Sequence, residues 1–326
     1  MKLEFCRRLG NSWRDLADVI PIPHHEQRRF ERGFEPRAIW DWLQDRQRLS
    51  ELPETLRRIG RDDLVDLWDK AQRESTEQFY RDGITRWADA RYALDTRFVQ
   101  LTLLLDQGEA AQGPRWHVSE RFGALADVLE RVSEQAVVLL GPPGSGKSTL
   151  LRHYAMDRAQ AVLDRVDADR HEDAPFCFWL SLNDYKAPQP GDPLPPPQAW
   201  LEARWADTHP MLPPLPTLLR EQRLTLLLDA LNEIPHPGGE PVRFWKDFLQ
   251  RLDRDYPGNR VVFSCRSLDY SASLSAKELP VPQVRIEALS DAQVQQFIEL
   301  YCPEHAATLW VNLAGSPQLD LLRTPY

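Results

Sequence analysis

Residues 141–149 read GPPGSGKST, which meets the spacing GxxxxGK[ST] in full. Glycines at 141, 144 and 146 permit the dihedrals and the close approach that let successive backbone N–H groups face a phosphate chain. Pro142, Pro143 and Ser145 complete the loop, and a helix starting near Gly146 would turn its positive end to the same anion. Lys147 is then placed to reach the outer phosphates. The Ser148 hydroxyl is placed to ligate Mg²⁺, with Thr149 beside it.

Such a loop needs an acid, and residues 223–233 read RLTLLLDALNE. An apolar run ending in Asp229 predicts a buried parallel strand that delivers a carboxylate to the crevice where doubly wound sheets bind ligands. Asp229 is the expected second metal-holding group, and Glu233 is placed to polarise an attacking water. The alternative for Glu233 is a surface acid that caps a helix. Residues 259–266, NRVVFSCR, predict a third strand ending in Arg266. There a guanidinium could neutralise the terminal phosphate, or simply pair with an acid on a neighbouring loop.

These groups work only if a sheet brings them together. Residues 135–140, QAVVLL, supply the strand before the phosphate loop, and residues 175–182, PFCFWLSL, are apolar enough to predict a central parallel strand. Residues 97–105 suggest a strand or packed extended segment, residues 120–132 a helix, and residues 284–286 a last strand. Five prolines in residues 189–197 predict a surface excursion. A helix over 242–255 would turn Phe244, Trp245, Phe248, Leu249 and Leu252 inward. Ser290 opens a helix running to Tyr301, and a further helix begins at Ala306.

The first 72 residues differ in kind. Short amphipathic segments follow one another, separated by Pro21, Pro23 and Gly33. Ser12 is placed to cap the second of them. Residues 73–95 are a charged connector with a break expected at Gly83. A small all-α bundle carrying no catalytic cluster is the expectation for this region.

Composition narrows the classes. A net charge of -9 argues against a general nucleic-acid surface. No run of 18 apolar residues exists to span a membrane, and the first ten residues lack the apolar core of a secretory signal. Cysteines at 6, 177, 265 and 302 are widely spaced and read as reduced thiols in the cytoplasm. The final LLRTPY follows an apolar stretch without a polar tail, as in a chain that continues in the natural protein.

The segments LGNSWRDLADVI, ERGFEPRAIWDWLQDR and LSELPETLRRIGRDDLVDLW resemble the death-fold superfamily, in particular the death-like adaptor domains at the N-termini of bacterial immune proteins. The resemblance rests on Trp13, Leu16, Ile39, Trp40, Leu43, Leu52, Leu56, Ile59 and Leu64. It implies a module that binds another death-like domain, on an effector or adaptor, and is not itself an enzyme. GPPGSGKSTL, FCFWLSLNDY, LLLDALNEI and VVFSCRSLDY, in that order, resemble the NACHT group of STAND NTPases over residues 96–326.

That resemblance implies an α/β P-loop NTPase with a parallel sheet and a C-terminal helical lid. It also implies ATP or ADP bound with Mg²⁺, slow hydrolysis that resets a switch, and self-association on activation by a trigger. Arg266 matches the family's γ-phosphate sensor, and Pro325 resembles the proline near the adenine. Asn232 stands where the family usually has an acid, which implies weaker metal binding or hydrolysis. The expected division is a death-like domain at 1–72, a connector at 73–120, the NTPase core at 121–288 and the start of the lid at 289–326. Two other readings stay open: an AAA-like remodelling motor, and a binding scaffold with a degenerate nucleotide site.

Overall fold

The computed structural model describes residues 1–89, 91–106, 120–165, 174–189, 192–235, 241–270, 274–275 and 279–324. Contacts divide these into two compact units. The first comprises Met1–Phe79 together with Ala199–Leu218, and the second holds the rest of the described chain.

The first unit is helical throughout: α1 (Lys2–Leu9), α2 (Trp13–Val19), α3 (His24–Gln27), α4 (Glu35–Asp45), α5 (Leu52–Arg58) and the start of α6 (Asp62–Ala88). The apolar spacing that marks these segments converges on one core, where Leu16, Ile39, Leu43, Leu52, Leu56 and Leu64 have no exposed surface. Burial of each such side chain favours folding by about 1.5–3 kcal/mol. Trp40 sits between Phe5 and Trp68, with ring centroids 5.2 and 6.2 Å away. Ser12 does not cap α2. Its hydroxyl instead accepts from Arg61 Nη1 at 3.2 Å, and the same guanidinium donates to the Arg8 and Leu9 carbonyls at 2.8 and 3.2 Å. Those carbonyls end α1 and have no partner within the helix, so a cation there both bonds them and meets the negative helix end.

The expected break at Gly83 is absent, because α6 runs unbroken for 27 residues. A glycine in a helix costs roughly 0.5–1 kcal/mol relative to alanine. Packing on either side offsets this, since Tyr80 and Trp87 are both buried and Tyr80 stacks on Phe176 at 5.6 Å. Arg152 contributes as well: its guanidinium carbon lies 5.1, 5.0 and 5.1 Å from the rings of Trp87, Tyr92 and Trp179. Three aromatic faces around one cation hold the end of α6 against the helix that carries Arg152.

The second unit is built on a mixed sheet. Its strands are β1 (Leu103–Asp106), β2 (Glu120–Phe122), β3 (Ala136–Gly141), β4 (Phe176–Ser181), β5 (Leu224–Asp229), β6 (Arg260–Arg266) and β7 (Gln283–Ile286). The order is β2-β1-β7-β3-β6-β5-β4. From β7 to β4 every pairing is parallel, while β1 runs antiparallel to both β2 and β7. The helices of this part of the chain are α7 (Leu94–Arg97), α8 (Leu125–Arg131), α9 (Lys147–Leu163), α10 (Pro197–Thr208), α11 (Leu215–Arg220), α12 (Pro241–Asp255), α13 (Asp291–Tyr301) and α14 (Ala306–Leu313). Of these, α10 and most of α11 cluster with the first unit, although they lie in sequence between β4 and β5.

Three expectations change here. Residues 120–132 are not one helix: β2 pairs with β1, Arg121 opposite Leu104, and Gly123 separates it from α8. Backbone pairing overrides the local apolar spacing. The 175–182 strand is parallel, as its composition predicts, but it forms the edge of the described sheet as β4 and pairs with β5 alone. Its apolar side chains are covered by aromatic packing, such as Trp179 on Trp87 at 5.5 Å. Finally, Phe244 of α12 is exposed, whereas Trp245, Phe248, Leu249 and Leu252 are buried. No described helix is long and apolar enough to cross a membrane.

Gly83→Ala tests the continuity of α6. Its new Cβ would meet only Ala159 Cβ at 3.8 Å, an ordinary contact. The substitution should stabilise the chain by about 0.5–1 kcal/mol in chemical denaturation. A real break at Gly83 would make it destabilising.

Candidate nucleotide site

Three parallel strands end side by side. β3 delivers the phosphate loop and β5 delivers Asp229, with β6 between them and Arg266 in register with Gly141. All six residues of β3 and all six of β5 are buried, so the sheet fixes where the polar groups at their ends emerge. The loop after β3 takes positive φ at Gly144 (74°) and Gly146 (87°), and Gly146 directly precedes α9. A Cβ at Gly141 would overlap the Ser145 hydroxyl, which lies buried inside the loop.

Lys147 folds back over this loop. Its Nζ donates to the Gly141 and Pro142 carbonyls at 2.9 and 2.8 Å and lies 3.4 Å from Ser145 Oγ. Burial pulls the ammonium below its ordinary pKa, opposed by the attraction of Asp229 and reinforced by the repulsion of Arg266. A half-buried cation held by neutral oxygens, two carbonyls and a hydroxyl, is suited to an incoming anion, which would remove that penalty. Ser148 and Thr149 follow on the first turn of α9, half-buried beside it.

Asp229 is 5 % exposed and accepts a 2.5 Å hydrogen bond from Ser264 Oγ. The same hydroxyl accepts from the Ala230 N–H at 2.8 Å. Ala230 has φ 63° and ψ 55°, a left-handed conformation that costs an alanine roughly 1–2 kcal/mol. It turns the chain into a short 3-10 turn, Leu231–Glu233. The Asn232 side-chain carbonyl accepts the Arg266 backbone N–H at 3.1 Å, and Arg266 Nη2 donates to Glu233 Oε1 at 2.7 Å. Of the two readings of Arg266, the pair with a neighbouring acid is therefore the one seen here. Among the described residues Glu233 caps no helix.

An open cleft adjoins the loop. It is lined by Arg97, Phe98, Val99, Phe297 and Tyr301 together with residues 144–149. Phe297 and Tyr301 stack with centroids 4.4 Å apart and planes at 24°, and the Arg97 guanidinium lies 5.6 Å from the Tyr301 ring. Sequence reasoning did not single out these side chains. The i, i+4 spacing of two aromatics on α13 was the available signal. Pro325 lies outside the described residues. Burial raises the Cys265 thiol to about 11, so this neighbour of Arg266 stays neutral, and the four cysteines are all unpaired.

The donor set fits a magnesium nucleotide. Ser148 and Asp229 offer hard oxygens, and Mg²⁺ needs few protein ligands when phosphates supply the others. Among the described residues no group of three His, Cys, Asp or Glu side chains forms an all-protein cage.

Residues 135–305 match the NACHT domain, and residues 1–71 match Bacterial Death-like domain 3. With more than half its length inside the first match, the chain belongs to the NACHT family of nucleotide-binding NTPases, and it carries a bacterial death-like domain at its N-terminus. Two solved structures align loosely. One, an Escherichia coli MS115-1 HORMA:CdnC:Trip13 complex, is 16% identical over 78% of this chain and 74% of that one, with a TM-score of 0.36. The other, Caenorhabditis elegans PCH-2, is 13% identical over 56% and 43% of the two chains, with a TM-score of 0.32. No curated protein matches the chain in sequence.

Ser264→Ala should be among the costliest small substitutions in the second unit. It leaves the Ala230 N–H and one Asp229 oxygen without their bonds, at about 1–3 kcal/mol. Chemical denaturation would read the loss, and a change below about 0.5 kcal/mol would show that the hydroxyl is dispensable.

Proposed function

We propose that this chain is the nucleotide-controlled part of a STAND signalling switch. It binds ATP or ADP with Mg²⁺, hydrolyses slowly, and self-associates in the cytoplasm once a trigger permits exchange. Assembly gathers the death-like domains, which then recruit an effector or adaptor carrying a domain of the same kind, in bacterial anti-phage defence. The observation that carries this reading is the convergence of Asp229 and Arg266, at the ends of adjacent β5 and β6, with Lys147, which opens α9 and bonds the Gly141 carbonyl at the end of β3.

Within this reading residues 141–149 cradle the phosphates, and the Lys147 ammonium exchanges its carbonyl partners for phosphate oxygens. Ser148 and Asp229 hold the metal, which when bound neutralises charge on the outer phosphates. Glu233 polarises the attacking water, and Arg266 meets the terminal phosphate. The base lies in the cleft against Phe297 and Tyr301, whose aromatic faces favour stacking. Pro325 remains assigned to the adenine by family resemblance. The death-like unit of residues 1–72 has no place in this chemistry and serves recruitment.

The deciding experiment denatures gently purified protein and identifies the released nucleotide, with Lys147→Ala alongside. Stoichiometric ADP from the wild type and at least a tenfold lower yield from the variant are expected. Equal yields from both would remove the phosphate loop from the argument. Light scattering with a non-hydrolysable triphosphate should then show a larger assembly, whereas rapid turnover in a closed ring would favour a remodelling motor instead.

A further inference from the structure

Residues 28–34, RRFERGF, form a basic turn between α3 and α4, with three arginines against one acid, Glu31. Phe30 packs on the core of the first unit and meets the Trp13 ring at 6.4 Å, edge to face, which pins the turn. Arg28, Arg29 and Arg32 face water, and among the described residues none of the three has an ion pair or a side-chain hydrogen bond. Beside them the Phe34 ring is 54% exposed.

The same unit carries a cleft of the opposite sign. It has a volume of about 440 Å³, lies between the end of α4 and residues 202–216, and has Leu49, Trp205 and Leu212 at its apolar bottom. Asp45, Glu202 and Asp207 line it, and no lysine or arginine does. The cations nearest in sequence are engaged elsewhere: Arg46 donates to Glu26 at 3.2 Å and Arg48 to Glu51 at 2.7 Å. Two of the cleft acids also work against their own helices. Asp45 is the last residue of α4 and Asp207 lies in the last turn of α10, where the helix dipole disfavours a carboxylate. Among the described residues no ion pair offsets this, and Asp207 accepts only from Gln47 Nε2, at 3.3 Å.

We propose that the basic turn of one copy of this chain docks in the acidic cleft of another, its arginines pairing with the rim acids and Phe34 resting on the apolar bottom. No residue of the turn lines the cleft of its own chain, so the occupant comes from a second copy. Each copy carries both halves, and association needs no other protein. An exposed ion pair alone favours association by a factor of only about two to five, so several pairs and the buried ring must act together. The contact deepens the self-association proposed above by naming its surfaces. Residues 202–216 lie outside the death-like match, so it is not a contact of two death-like domains alone.

Two charge-reversed variants of the full chain test the docking. One carries Arg28→Glu, Arg29→Glu and Arg32→Glu, and the other carries Asp45→Lys and Asp207→Lys. Lysines at those helix ends suit the dipole, so the second variant should melt no lower than the wild type. Self-association is followed by analytical ultracentrifugation with Mg²⁺, with and without AMP-PNP. Each variant alone should associate about tenfold more weakly than the wild type, or worse. An equimolar mixture should recover, because intact turn meets intact cleft and the two reversed surfaces also match. Raised salt should weaken the wild-type assembly severalfold. Variants that associate like the wild type, a mixture that fails to recover, or an assembly indifferent to salt would each overturn the docking and leave the nucleotide switch standing. Loss in the charge variants but not in Lys147→Ala would uphold the docking and remove nucleotide control. A wild type that stays single with and without AMP-PNP would overturn both.

Discussion

Parallel pairing of β3 with β6, running from Ala136 opposite Val261 to Gly141 opposite Arg266, is the constraint on which the site depends. Side chains along a strand alternate between faces, so a slip of one residue would move Arg266 and Ser264 to the wrong side of the sheet. The register is held because both faces are buried: Val261, Val262, Phe263, Ser264 and Cys265 are each 2 % exposed or less. Apolar burial along the strands thus fixes polar geometry at their ends, and the charged groups have little to do with placing themselves.

Ser264 carries that geometry across to the next strand. It is a buried hydroxyl with a carboxylate on one side and a backbone N–H on the other, which uses it as donor and acceptor at once. Through it, the unfavourable conformation of Ala230 becomes stable, and the chain leaves β5 in the direction that brings Asn232 and Glu233 to the end of β6. A buried polar network of this kind is costly when half-satisfied and specific when complete. Asn259 does the same at the opposite end of the strands. Its side chain accepts from the Leu224 N–H at 3.2 Å and donates to the Leu219 and Tyr256 carbonyls at 2.8 and 2.9 Å.

The first unit depends on a different economy. Apart from α6 its helices are short, and isolated helices of this length are marginal in water, so the common apolar core must hold them. Its composition includes a later segment of the chain, because Ala199–Leu218 clusters with it and Met211 packs on its core. Trp205 is buried there against Phe79 at 5.8 Å, with its indole N–H donating to the Pro213 carbonyl at 2.8 Å. A stretch read from sequence as part of the NTPase region therefore packs with the helical one.

The sequence by itself determined the phosphate loop, the strand ending in Asp229, the strand ending in Arg266 and the helical character of the N-terminal region. Each of these is local: glycine spacing, an apolar run and helical periodicity are properties of neighbouring residues. The tertiary structure alone decided the antiparallel β1–β2 pair, the edge position of β4, the unbroken α6 and the aromatic pair of Phe297 and Tyr301 beside the loop. It also decided that Arg266 pairs with Glu233. These features depend on which distant residues meet, and chain order does not carry that information. Gly83 is the clearest case, since its helix-breaking tendency is local and weak, while the packing that overrides it, Tyr80 on Phe176 and Trp87 under Arg152, brings in two distant stretches of chain.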